Sequence, residues 1–295
     1  MALREVGLLS PGDMGHVVGQ VLVRNGMPVV TCLQGRSERT RALAQKAKIE
    51  AVASYKELVR RADLILSILV PAEAEKTARL VSEALGETGE KAVYVDCNAV
   101  SPATARSVGK IIEEAGSLFV DAGIIGPPPM RKGTTRFYAS GADAEHFAQL
   151  RDYGLEVRVI GCEIGQASGL KMVYAALTKG LTALSTELLV AARQMGLYRD
   201  LLKEFQMSQK QEYGRMEKAL PSMPPKARRW VGEMEEIAKT FQDLSLPPRI
   251  YQGAAEVYRF VGQTTLADET PETRDKSRSL EEMVEILALH LTSQI

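Results

Sequence analysis

The sequence predicts an α/β protein: a doubly wound parallel sheet in the first half, and helix throughout the second. Three observations carry this. Short apolar runs without alternation recur up to about residue 160, with amphipathic helical stretches between them. A glycine-bearing turn, "LLSPGDMG", joins the first apolar run to the first helical one. After about Gly165 the strand signals stop and apolar residues recur at helical spacing. A strand buried on both faces loses its alternation, and strands alternating with helices imply parallel crossovers. The domain boundary is placed between residues 164 and 165.

Taken in order, the strands are "REVGLLS", "MPVVTCL", "ADLILSILV", "KAVYVDC", "SLFVDAGII" and "RVIG". Helices are expected at "GHVVGQVLVRNG", "SERTRALAQKA" and "PAEAEKTARLVSEALG". Ser54 and Glu57 form a capping box in "SYKE", and Ser101 caps ahead of the first-turn Pro102. Leu170, Leu177, Leu184 and Ala191 recur every seven residues, as do Tyr174, Leu181, Leu188 and Met195. Four such repeats predict a helix of roughly 30 residues, about 45 Å long. That length outruns one small domain, so the helix is expected to link two. Further helices follow at "RRWVGEMEEIAKTFQDL", "RIYQGAAEVYRFV" and "SLEEMVEILALHL". Between them "LPSMPPKA" is a breaker and "TTLADETPETRDKS" a polar loop.

Bulk properties narrow the function. Of 295 residues 45% are apolar and 25% charged, enough for a full core. Lys+Arg and Asp+Glu both number 37, and the basic residues form no stripe, so no nucleic-acid partner is expected. Arg4 and Glu5 interrupt the N-terminus before any run of signal-peptide length. The longest apolar stretch, "ADLILSILVPA", is far short of a membrane span. A cytoplasmic protein is expected, and Cys32, Cys97 and Cys162, lacking metal-ligand spacing, read as small buried hydrophobes in a reducing compartment. His16, His146 and His290 are isolated and read as structural. The "GEMEEI" stretch reads as a solvated face, with no residue placed to complete a metal site.

The chemistry begins at the turn. A dinucleotide-binding corner wants Gly-x-Gly-x-x-Gly between a strand and a helix. Here Gly12 and Gly15 hold the second and third positions and Ser10 the first, where only an unstrained turn is expected, stiffened by Pro11. Gly12 lets the backbone approach phosphate, and the Asp13 and Met14 amides lie where the helix dipole favours an anion. Asp13 must turn its charge away, capping its own helix. The cofactor contacts expected at this corner are Ser10, Pro11, Gly12, Asp13 and Met14. The second strand selects the dinucleotide: NAD sites carry a carboxylate about 20 residues on, yet "MPVVTCLQGRS" has none. Arg36 and Ser37 arrive instead, and a guanidinium suits a 2′-phosphate. NADP(H) is the expected cofactor, with a solvated basic turn as the alternative.

These residues resemble the β-hydroxyacid dehydrogenases, which include the 3-hydroxyisobutyrate and 6-phosphogluconate dehydrogenases. "GLLSPGDMG" is similar to the family's "GxIGxGxMG". "GRS" sits where NADP-using members carry Asn-Arg-Ser/Thr, and "ILVP" matches the strand before the adenine-side loop, adding Val70 and Pro71 as cofactor contacts. "VDCNAVSP" is similar to "xDxSTxxP", "FVDAGIIGPPP" to "FxDAPVSGG", and "GQASGLKMVYA" to the "GxGxxxKxxNN" that opens the long helix. The motifs run in the family's order from residue 4 to about 195. The resemblance implies a Rossmann-like domain, an all-helical domain, and hydride transfer between nicotinamide and a hydroxyl- or keto-bearing carbon. It implies Lys171 as acid/base, in keeping with an alkoxide's need for a neighbouring proton donor. It also implies a homodimer formed through the helices. The seam through Leu170 and Tyr174 and the faces at Trp230–Phe241 and Leu280–Leu291 look too much for one small helical domain to bury alone.

The departures bear on the substrate. Where the family has a serine and two glycines to bind a carboxylate, this chain has Ile125, Gly126 and Pro127, and Pro127–Pro129 offer no amide hydrogens. The paired asparagines are Tyr174 and Ala175, and the "ST" positions are Asn98 and Ala99. Asn98 is expected to bond the nicotinamide carboxamide or a substrate hydroxyl. Asn98, Gly126 and Tyr174 are the candidate substrate contacts, with Arg131 or Lys132 as an anion contact. Two alternatives stay open: an imine reductase, which shares the fold and usually carries Asp or Tyr for the lysine, and a non-catalytic NADP-binding scaffold.

Overall fold

The computed structural model describes residues 3–292 of the chain. Two compact units, Met1–Met172 and Val173–Ile295, divide it. The division falls about two turns into the long helix rather than at its start, because those turns are bonded to a strand of the first unit.

The first unit is an eight-stranded sheet: β1 (Val6–Leu9), β2 (Val29–Cys32), β3 (Glu50–Val52), β4 (Leu64–Ser67), β5 (Val93–Asp96), β6 (Leu118–Ile125), β7 (Arg136–Ser140) and β8 (Val157–Gly161). Spatial order is β3-β2-β1-β4-β5-β6-β7-β8. Strands β1 to β6 run parallel; β7 is antiparallel to β6 and parallel to β8. The helices are α1 (Gly15–Arg24), α2 (Glu38–Lys46), α3 (Tyr55–Arg61), α4 (Ala74–Thr88), α5 (Pro102–Glu114) and α6 (Ala144–Ala148). Val18 and Leu22 of α1, Ala44 of α2 and Phe147 of α6 share one core with the sheet; α3, α4 and α5 cover the other face through Leu58, Val81 and Val108. The four-residue strands β1, β2, β4 and β5 are buried throughout, which is why their sequences do not alternate.

Two strands have no counterpart among the sequence expectations. The edge strand β3 has only three residues, two of them exposed. In β7 the order Arg-Phe-Tyr-Ala-Ser interleaves polar and apolar residues, so no apolar run marks it. The predicted caps are present: Ser54 Oγ accepts from Glu57 N at 3.2 Å, and Ser101 Oγ from Thr104 N at 3.2 Å. The Glu57 carboxylate returns to Ala53 N at 2.8 Å, one residue earlier than the usual box.

The second unit is all helical. It holds most of α7 (Gln166–Gln194), then α8 (Tyr198–Ser208), α9 (Lys210–Ala219), α10 (Ala227–Asp243), α11 (Arg249–Gly262) and α12 (Leu280–Thr292). Among the described residues no helix is long and apolar enough to cross a membrane. Met234 and Ile237 of α10, Tyr258 and Val261 of α11, and Met283, Val284 and Leu287 of α12 are fully buried. Much of these faces, expected to exceed what one domain covers, is thus buried, with Trp230 and Phe241 half-buried. The heptad stripe is not: α7 buries the neighbouring face of Ala175, Ala176, Ala183 and Leu189, while Leu177 stays 64% exposed and Leu184 56%.

Two further readings are corrected. Cys162 is exposed, although Cys32 and Cys97 are buried as expected. Within "GEMEEI", Glu233 is buried, because its carboxylate meets Lys179 Nζ at 2.5 Å. That ammonium also lies over the Trp230 ring, 5.5 Å from its centroid.

Candidate active site

The glycine turn follows β1 directly. Ser10 has φ 65°, so the first position is left-handed rather than unstrained, and its carbonyl accepts from Gly12 N at 2.8 Å. A Cβ on Gly15 would stand 2.4 Å from Ser10 O, so that glycine is required by the strand-to-helix corner itself. Gly12 is different. A Cβ there would meet nothing nearer than Ser10 Oγ at 4.0 Å, so packing does not demand this glycine. It leaves backbone open beside the start of α1, where Met14 occupies the N-cap position without a side-chain cap. An open backbone beside a helix start that no side chain caps fits a dinucleotide pyrophosphate. His16 Nδ1 lies 2.7 Å from Gly12 O and braces the turn.

Asp13 does not cap its own helix. Its Oδ1 accepts from Arg39 Nη2 at 2.5 Å, tying the turn to α2. Ser37 is the N-cap of α2 and accepts from Thr40 N at 3.3 Å. Arg36 is half-buried at the exit of β2, with its amide on Leu33 O at 3.1 Å and its carbonyl taken by Arg41 Nε at 3.2 Å. Of the basic residues after β2, Arg39 is thus committed to Asp13, while the Arg36 guanidinium has no ion-pair partner among the described residues.

The other expected contacts lie on loops leaving the same sheet edge. Val70, exposed, and Pro71, half-buried, open the turn before α4, beyond the C-terminal end of β4. Asn98 follows β5 and is only 2% exposed. Its Oδ1 accepts from Leu69 N at 2.5 Å, its Nδ2 donates to Ser67 Oγ at 3.0 Å, and its amide donates to Asp96 Oδ1 at 2.8 Å. The side chain therefore pins the ends of β4 and β5 together, and the loop it shapes faces the edge. In this sheet order β1 and β4 flank the point where the winding reverses, the crevice where such sheets take ligands.

Lys171 reaches that edge from α7. Its Nζ donates to the carbonyl of Ile124, near the C-terminal end of β6, and the residue is half-buried. Gly123 makes this possible: a Cβ there would stand 2.9 Å from Ala167 O and 3.0 Å from Lys171 Cβ. Gly126 begins the loop after β6 at φ 128°, with Thr135 Oγ1 bonded to Pro127 O at 2.5 Å across its base. Arg131 and Lys132 are exposed on that loop. Tyr174 is 48% exposed one turn beyond Lys171 on the same helix. Beneath the edge, Cys97 is buried between Asp96 and Asn98. Burial, and then the charges of Asp96 and Asp121, push its thiol well above the ordinary range. A cavity of about 190 Å³ lies at the opposite, N-terminal edge, lined by Asp63, Lys91, Ser117 and His146 and none of the expected site residues.

This arrangement is matched by known proteins. Residues 5–153 match the NAD-binding domain of 6-phosphogluconate dehydrogenase, and residues 192–261 a domain of unknown function. An uncharacterised 28.5 kDa protein of Methanothermus fervidus is 33% identical over 198 residues, 67% of this chain and 74% of that protein. The chain belongs to the β-hydroxyacid dehydrogenase superfamily. A solved protein of unknown function, described as structurally similar to 3-hydroxyacid dehydrogenases, is 31% identical with TM-score 0.64. It covers 88% of this chain and 96% of its own. The Mycobacterium tuberculosis 3-hydroxyisobutyrate dehydrogenase shares the fold at 16% identity and TM-score 0.69, over 97% of this chain and 99% of its own. Imine reductases of Myxococcus stipitatus share it at TM-scores 0.53 and 0.52 and 16% and 17% identity, over 97% and 96% of this chain and all of theirs. The first is a variant with NAD+, the second holds NADP+. The superfamily is one of NAD(P)-binding oxidoreductases, and the first unit carries its nucleotide-binding domain.

Sequence reasoning missed three roles at this site. Arg39 stands among the basic residues just behind Arg36 and Ser37, but nothing signalled that it would bind Asp13. Gly123 and Asp121 did leave a trace, because a glycine and a carboxylate inside an otherwise apolar strand each need a reason. Their reasons lie in α7, which is distant in sequence.

Proposed function

We propose that this dehydrogenase-family chain is an NADP(H)-dependent oxidoreductase acting on a small hydroxyl or carbonyl compound, with Lys171 as its acid/base. The observation that supports it most is the bond from Lys171 Nζ to Ile124 O, which holds a half-buried ammonium at the sheet edge that also presents the glycine turn. Gly12, Met14 and the start of α1 would hold the pyrophosphate, and Arg36 the 2′-phosphate. When bound, the nicotinamide supplies or takes up the hydride. Lys171 then gives its Nζ proton to the oxygen of the reduced carbon, where negative charge develops, or removes that proton in the oxidative direction. Ile124 O fixes the ammonium at this edge, and an ammonium carries three donors to share among its partners. A cytoplasmic homodimer built on the exposed face of α7 completes the reading.

Fluorescence titration and turnover over a panel of small carbonyl compounds test it. NADPH should bind more tightly than NADH, and Arg36→Ala should weaken NADPH by about 10- to 150-fold, the loss of one charged contact. Lys171→Ala should lower kcat about 10²- to 10⁴-fold with NADPH affinity kept. Wild-type turnover in Lys171→Ala would move the role elsewhere. Imine reduction is the second reading, favoured by the shared fold and by an exposed tyrosine, Tyr174, three residues along α7 from the lysine; cyclic imines in the panel decide between them. NADPH binding with no turnover of any compound would favour a scaffold.

A further inference from the structure

We propose that Asp121 is a positioning residue for Lys171, fixing the helix start that carries the lysine and placing a negative charge in the strand that holds it. The inference rests on the acid/base reading of Lys171. Asp121 is fully buried in β6. Its Oδ2 accepts from Gly165 N at 2.8 Å, Ser168 N at 3.0 Å and Ser140 Oγ at 3.1 Å; its Oδ1 accepts from Ser168 Oγ. Ser140 Oγ in turn accepts from Ala167 N at 3.0 Å. Three amides at the start of α7 are thus held from the sheet, one turn before Lys171.

The strand continues the grip. Gly123, two residues on and on the same side of β6, admits Ala167 O and Lys171 Cβ at contact distance. Ile124 O then takes the ammonium. Three positions of one strand, Asp121, Gly123 and Ile124, thus hold the chain from Gly165 to Lys171, so displacement at Asp121 is passed along the first turn to Nζ.

A neutral side chain would suffice to cap a helix, and burying a carboxylate is costly unless it is fully bonded. What the charge adds is electrostatic. The first turn of α7 has no acidic residue of its own, and a helix N-terminus disfavours a cation one turn along. Asp121 opposes that field. Charged and titratable groups on the elements that hold this helix start include Asp96, beside Asp121 in register; Cys97, which the charge of Asp121 reaches; and the cations Arg106, against Gly165, and Arg136, opposite Ile125. Of these, Asp121 is bonded directly to the start of the lysine's own helix.

The test is the kcat–pH profile of Asp121→Asn beside that of Lys171→Ala, with amide exchange at the start of α7. Asp121→Asn should lower kcat about 10- to 100-fold with NADPH affinity kept. The limb lost in Lys171→Ala should move to lower pH by about half a unit to one unit. Exchange at Gly165 to Ser168 should quicken. An unmoved limb, or undiminished kcat, overturns the inference while the lysine reading stands; an active Lys171→Ala overturns the lysine reading. Should Asp121→Asn fail to fold, Ser168→Ala removes one bond and keeps the charge. It should lower kcat about 3- to 10-fold without moving the limb, and a lower melting temperature with wild-type kcat would overturn the inference.

Discussion

Arg39 crosses from α2 to the glycine turn and binds Asp13, Nη2 to Oδ1 at 2.5 Å, with both side chains more than a third exposed. A carboxylate stands where an anionic ligand is expected, and it occupies a nearby cation. An exposed pair of this kind contributes at most about 1 kcal/mol to stability. Its larger effect is on binding. Asp13→Asn removes the like charge and releases Arg39 towards the phosphates. NADPH affinity should rise about 3- to 10-fold, with a steeper salt dependence, while the melting temperature changes little. Fluorescence titration at two salt concentrations checks this, and an unchanged affinity would mean that Asp13 lies out of reach of the bound phosphates.

Ser10 holds a left-handed backbone at φ 65°, where glycine pays no steric cost. The expected cost to serine is about 1–2 kcal/mol, reduced by the entropy that glycine loses on folding. Ser10→Gly should therefore stabilise the first unit by about 0.5–1 kcal/mol, read from urea unfolding. A destabilised variant would show that the serine hydroxyl contributes more to the turn than its backbone conformation costs.

Much of the first unit was legible because local signals and tertiary demands agree there. The apolar runs of β1, β2, β4 and β5 are buried on both faces, and Ser54 and Ser101 cap the helices that their sequences announce. Gly12 was legible with its reason, an open backbone, whereas the reason for Gly15, the Ser10 carbonyl, was not. What escaped was set by partners far along the chain. β3 and β7 take their conformation from neighbouring strands rather than from an apolar run. Asp13 is turned by Arg39, and the bonds from the Asn98 side chain to Ser67 and Leu69 have no signal in the sequence. The heptad pattern on α7 gave the length of the helix but not which face its own unit covers.

Cys97 gives a pH dependence with a definite sign. Burial first, and then Asp96 and Asp121, raise its thiol well above the ordinary value, so the folded protein keeps it protonated. In the unfolded chain it ionises near pH 8.5. Above that pH the unfolded state binds fewer protons, so the contribution to stability, complete below about pH 8.5, is lost as pH rises. Urea unfolding between pH 8 and 10 should show stability falling by up to about 1.4 kcal/mol per pH unit more in wild type than in Cys97→Ala. Parallel curves would show that the thiol ionises in the folded state too. Thiol titration of the native protein should label the exposed Cys162 and spare Cys97 until unfolding.

The exposed face of α7 makes the last prediction. Val173, Tyr174, Leu177, Leu181 and Leu184 are all more than a third exposed, and Met195 just beyond the helix is 64% exposed. Single exposed apolar residues are ordinary, but a run along one helix is a patch of the kind that marks an interface. Elsewhere in the second unit Met234, Ile237, Met283 and Leu287 are buried, and the exposed apolar residues, Met207, Leu244, Ile250 and Leu289 among them, are spread over several elements. The stripe on α7 is the run on one helix, and a two-fold contact buries it on both copies at once. Light scattering at micromolar concentration should give twice the single-chain 32.2 kDa. Each leucine covered contributes about 1.5–3 kcal/mol and appears twice in such an interface. Leu177→Glu and Leu184→Glu should each return the protein to 32.2 kDa while leaving the circular dichroism of a folded helical protein. A wild-type mass of 32.2 kDa, unchanged with concentration, would mean that the stripe is not covered by a second copy.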